Sequence, residues 1–67
     1  MREQRIGANV KKLRKAHGLT IKEFAKIVEL SSSQVSLIEN GKRQLTVSGL
    51  INLCDRFHIK ADKILFG

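Results

Sequence analysis

The chain has 67 residues, 42% of them hydrophobic, and its 13 Lys and Arg outnumber 6 Asp and Glu for a net charge of +7. That length allows one domain, residues 1–67, with one modest core, and the hydrophobic share excludes a disordered chain. A lone cysteine excludes an internal disulfide or a thiolate metal cluster, and with no long apolar run and no apolar stretch at the N-terminus neither a membrane span nor a secretory signal is expected.

Helical spacing starts near the N-terminus. Ile6, Val10, Leu13 and His17 recur at i, i+4, i+7 and i+11, which predicts a first helix over residues 2–17 with these four on its inner face. His17 and Gly18 end it. In LTIKEF, Thr20 and Glu23 have the spacing of a capping box, and Leu19 and Phe24 that of a hydrophobic staple, so a second helix is expected over 21–28, burying Phe24, Ala25 and Val28. The stretch LSSSQVSLIENGK repeats the device: Ser31 caps, Gln34 stands three residues on, Leu30 pairs with Val35, and Asn40–Gly41 stops a third helix over about 32–40. Val35 and Ile38 face inward, which leaves Leu37 outward.

A Thr46 cap opens a fourth helix over 47–57, expected to bury Val47, Leu50, Leu53 or Ile51, Cys54 and Phe57, with His58 at its left-handed end. Cys54 reads as core filling. A short fifth helix, 61–66, contributes Ile64 and Leu65. No run alternates like a strand, so the fold class is all-α with five short helices. Only Glu29 and Leu30 separate the second helix from the Ser31 cap, which forces a steep crossing and makes the pair a helix-turn-helix.

The charge favours a polyanionic partner, although solubility alone also accounts for it. Three Phe without Tyr or Trp are poor material for stacking unpaired bases and point to a duplex. No nucleophile–base set, paired carboxylates, metal-ligand cluster or phosphate-cradling glycine loop appears, so neither an enzyme nor a cofactor is expected. A reducing cytoplasm fits the lone thiol.

The segments LRKAHGLTIKEFAKIVELSSSQVSLIENGKR and LTVSGLINLCDRFHIKADKILFG resemble the helix-turn-helix domains of lambda repressor-like, Cro/CI (XRE) proteins, from Ile6 to Leu65. Three positions depart from that pattern: Ile21 replaces a phosphate-touching Gln, Glu29 a turn glycine, and Leu45 a proline. The resemblance implies a sequence-specific double-stranded DNA-binding domain of a bacterial or phage transcriptional regulator, of the repressor kind, cytoplasmic and gathered at the nucleoid when bound.

In that geometry the front of the third helix enters the major groove. Ser32, Ser33, Gln34 and Leu37 are the expected base-contacting residues, with Gln34 able to pair bidentately with adenine and Leu37 able to meet a thymine methyl. Phosphate contacts are expected from the second helix start, Thr20, Ile21 and Lys22, from Ser31 and Ser36, and from Asn40, Lys42 and Arg43 beyond the third helix. The resemblance further implies a structural ion pair between Arg14 and Glu39. A homodimer through helices four and five is expected because Ile59, Ile64 and Phe66 exceed what one small core can hide. The rival reading gives that surface to a partner protein, as in antitoxins or coactivators of similar fold; membrane binding suits the short helices poorly.

Overall fold

Five helices build the described part of the chain, residues 2–67, in the computed structural model: α1 (Arg2–Ala16), α2 (Ile21–Val28), α3 (Ser32–Glu39), α4 (Val47–Phe57) and α5 (Ala61–Leu65). No strand occurs among the described residues. Side-chain caps set the starts. The Oγ1 of Thr20 accepts from the Glu23 amide at 3.1 Å, the Oγ of Ser31 from the Gln34 amide at 3.1 Å, and the Oγ1 of Thr46 from the Gly49 amide at 3.0 Å. Each satisfies one amide that the first helical turn leaves unpaired.

Four helices end by one device. A residue in the left-handed region turns the chain, and the next amide reaches back five residues: Leu19 to the Arg14 carbonyl, Leu30 to Ala25, Lys42 to Leu37 and Ile59 to Cys54. Glycine fills the left-handed position after α1 and α3, at Gly18 and Gly41, but Glu29 (φ 60°) and His58 (φ 54°) fill it after α2 and α4.

The core draws on all five helices: Val10 and Leu13 from α1, Phe24, Ala25 and Val28 from α2, Val35 and Ile38 from α3, Leu53 from α4 and Ile64 from α5. Phe57 stacks on Phe24 with ring centroids 5.4 Å apart. Gly7 is buried where α1 meets α3, and a Cβ there would fall on the Ile38 carbonyl oxygen. The Asn9 side chain donates to the Ile64 carbonyl at 2.8 Å, joining α1 to α5.

Several expectations are corrected. α1 ends at Ala16, α3 at Glu39 and α5 at Leu65, each one residue early, because the closing turn takes the last residue. His17 is exposed, its ring lying 4.8 Å from that of Phe57 at the rim of the core. Val47 and Ile51 are exposed as well, and Leu53 holds the core position, because α4 turns the Leu53 side toward α2. Ile64 is fully buried and adds nothing to a surface excess.

Candidate nucleic-acid interface

α3 lies against both α1 and α2, and its inward side is Val35, Ile38 and Glu39. Successive residues turn about 100°, so Ser33, Leu37 and Asn40 occupy the opposite side. Ser32, Ser33, Leu37 and Asn40 are exposed; Gln34 and Ser36 are half-buried on the flanks. Leu37 keeps 39% of its surface exposed, although it belongs to a helix whose other two long aliphatic side chains are buried.

An ion pair fastens this helix to the scaffold. The Nε of Arg14 donates to Oε2 of Glu39 at 2.7 Å and its Nη2 to Oε1 at 3.1 Å, a two-pronged geometry that suits guanidinium and carboxylate. Nη1 donates to the Leu19 carbonyl at 2.9 Å, so one side chain ties together α1, the approach to α2 and the end of α3. Hydrogen bonding to Glu39 raises the proton affinity of the Arg14 guanidinium above its usual value, against the opposing pull of burial. Among the described residues no buried side-chain nitrogen or oxygen lacks a partner.

The helix starts carry the two capping boxes in full. The Thr20 amide donates to Oε1 of Glu23 and the Ser31 amide to Oε1 of Gln34, both at 2.9 Å. This shapes the expected phosphate site at α2. The Thr20 amide is already used, and the Glu23 carboxylate is held there as an anion, its pKa lowered chiefly by that backbone donor. The Thr20 hydroxyl, which accepts from the Glu23 amide, keeps its proton to donate, and with the Ile21 and Lys22 amides and the exposed Lys22 side chain it is what remains for a phosphate. Gln34 is likewise engaged. A bidentate contact to adenine needs both its oxygen and its nitrogen, so the oxygen would have to share its second lone pair with the base or release Ser31.

The loop after α3 carries Lys42 and Arg43, both exposed. It is anchored by residues with no sequence signal, since their partners are remote along the chain. Gln44 donates to Oε1 of Glu3 at 3.2 Å, and Gly41 lies so close to Gln4 that a Cβ would come within 2.7 Å of its Cγ. Asn40 turns its amide back along α3, donating to the Ser36 carbonyl at 2.8 Å. Burial, and secondarily the charge of Asp55, push the pKa of the half-buried Cys54 thiol up from its ordinary value.

A helix pair with these caps, this clamp and an outward α3 defines a helix-turn-helix domain. The helix-turn-helix family model matches residues 10–64, and the chain belongs to that family, in its Cro/CI (XRE) branch. Over 54 residues it is 41% identical to antitoxin PezA of Streptococcus pneumoniae, covering 81% of this chain and 34% of that protein. Over 55 residues it is 42% identical to the HTH-type transcriptional regulator PrpR of Mycobacterium tuberculosis, covering 82% of this chain and 11% of that one. The chain therefore spans about a third or less of the length of these relatives.

Two solved structures share the fold. The restriction-modification controller protein C.AhdI of Aeromonas hydrophila superposes with a TM-score of 0.84 at 24% identity, covering 92% of this chain and 94% of that one. The clp gene regulator ClgR of C. glutamicum gives 0.86 at 21% identity, covering 98% and 86%.

Proposed function

We propose that residues 1–67 act as one sequence-specific double-stranded DNA-binding domain of a transcriptional regulator. α3 lies in the major groove, and repression follows from occupancy of the site. The observation that carries this reading is the exposed front of α3, Ser32, Ser33 and Leu37, on a helix clamped by Arg14 and Glu39 in a chain of net charge +7. Short hydroxyl side chains let the helix approach base edges, while Lys22, Lys42, Arg43 and the free amides of the α2 start meet phosphates on either side. Two relatives named as a regulator and as a controller protein support it. No helix among the described residues is long and apolar enough to cross a membrane, and the proposed setting is the cytoplasm.

A homodimer through α4 and α5 sets two α3 helices in successive major grooves of a near-palindromic site. Contacts from one α3 alone are too few to single out one site in a genome. The likeness to an antitoxin, together with the exposed Val47, Ile51 and Phe66, supports a second reading in which that surface binds a partner protein.

Affinity measured against salt separates the two. Neutralising about five phosphates gives log K against log[salt] a slope of about −4 to −5, whereas an apolar protein interface barely responds. Selection of bound duplexes from a random pool tests specificity directly. Lys42→Ala is expected to weaken all duplexes alike, and Gln34→Ala to change which site is preferred. A salt-insensitive association, or a pool that yields no preferred sequence, overturns the reading.

A further inference from the structure

The polar groups along the outer side of α3 are more heavily committed than its sequence suggests. Oε1 of Gln34 accepts from the Ser31 amide, and Nδ2 of Asn40 donates to the Ser36 carbonyl. Both amide orientations follow from chemistry, because a backbone N–H can only donate and a carbonyl can only accept. Each of these side chains is therefore pinned to its own helix through one position of its amide, which restrains the free aim that a two-point contact to a base edge needs. The only charged residue in the helix, Glu39, is buried and bound to Arg14. The side chains on the outer side of α3 not held in this way are three serine hydroxyls and Leu37, and of these only Leu37 is apolar and exposed.

Serine hydroxyls rotate to donate or accept and so discriminate weakly among bases. Leu37 has no polar atom and can distinguish only an apolar group from its absence. In the major groove the one such group is the methyl on the fifth carbon of thymine, and a methylated cytosine carries the same methyl on the same carbon. We infer that Leu37 reads the 5-methyl group of a pyrimidine, so that thymine and 5-methylcytosine are accepted alike at one position of each half-site. The inference rests on the DNA-binding reading above and adds to it a sensitivity to cytosine methylation.

The test uses the tightest duplex recovered from a random-sequence pool. Each thymine is replaced singly by uracil, which pairs identically but lacks the methyl, and affinity is measured at constant salt. One thymine per half-site is expected to be sensitive, its uracil form binding about fourfold more weakly, the effect of failing to bury one methyl. At that position a C·G pair weakens binding and a 5-methyl-C·G pair recovers about the same factor. Leu37→Ala is expected to erase the difference between thymine and uracil there and nowhere else.

Because uracil substitution leaves the protein untouched, folding of the variant does not enter the first measurement. Indifference to uracil at every thymine overturns the inference, as does a uracil penalty that persists unchanged in Leu37→Ala. Either result in a duplex that was nonetheless selected leaves the DNA-binding reading standing. A pool without any preferred sequence overturns both.

Discussion

The Arg14 guanidinium has three nitrogens engaged, two on one carboxylate and one on a carbonyl, with its side chain 11% and that of Glu39 4% exposed. Desolvating two charges offsets most of their attraction, so the pair is better regarded as a positioning device than as a large source of stability. Removing one partner is a different matter, because the other charge is stranded. Arg14→Ala is expected to lower unfolding free energy by ~3–5 kcal/mol, read from urea denaturation. An unchanged midpoint would sink the assigned role. Gly7 decides a second contest. Alanine is the better helix former by about 1 kcal/mol, but its methyl would strike the Ile38 carbonyl, backbone that cannot swing aside. Overpacking at about 1–3 kcal/mol wins, so Gly7→Ala is expected to lower the melting temperature, and a rise would show that α1 moves freely over α3.

Among elements, α2 and α3 share a capping box at the start and one closing turn at the end, but Glu29 takes the left-handed position after α2 where Gly41 takes it after α3. The Glu23 carboxylate closes the α2 box with a pKa below the ordinary 4.5, the Thr20 amide being the main cause. A depressed folded-state pKa contributes stability that is complete above 4.5 and is lost as pH falls through the folded value. Gln preserves a capping box without titrating, so Glu23→Gln is expected to give a shallower loss of stability with acid, measured as urea midpoint against pH. Identical acid limbs would count against the box. At the other ends, Glu29 and His58 occupy backbone that glycine adopts freely. Replacing either by Gly is expected to gain about 0.5–1 kcal/mol. Glu29 additionally gives up an exposed contact to Arg56 at 3.6 Å, which contributes little. A loss of stability in both variants would show that these residues carry no strain.

These boundaries were legible because caps are local chemistry: a hydroxyl, an acid or amide three residues on, and a left-handed exit all lie within one turn of sequence. Burial was less so. Val47 has the composition of core and lies outside it, and the excess assigned to Ile64 is buried under α1 and α4, whereas the open choice between Leu53 and Ile51 falls to Leu53. Both errors concern the short C-terminal helices, whose facing partner the chain order alone does not specify. The close approach at Gly7, the Asn9 bridge and the Gln44–Glu3 tie depend on partners tens of residues away, and no periodicity announces them.

At the scale of the molecule, a body of 26 × 24 × 21 Å presents α3 on one side and leaves an unpartnered apolar surface on α4 and beyond α5. Val47 and Ile51, one turn apart, are 75% and 54% exposed, and Phe66 is 74% exposed. Scattered surface hydrophobics are ordinary, but two on one stripe of a short helix form a ridge that a second copy could cover through its own identical ridge. If that contact joins two copies, it should act on operator binding by raising the effective concentration of the second α3, without changing what either α3 touches. Ile51→Glu then has a distinctive signature, since Ile51 adds little to the monomer's core. Binding to a duplex with two half-sites is expected to weaken on the order of a hundredfold, while binding to a single half-site and the melting temperature of the dilute protein stay as they were. Sedimentation should show the variant as a monomer at concentrations where the parent is a dimer. Equal weakening on both duplexes would instead place Ile51 in the DNA contact. No weakening on either would return the α4 ridge to the partner-protein reading, with two half-sites filled independently.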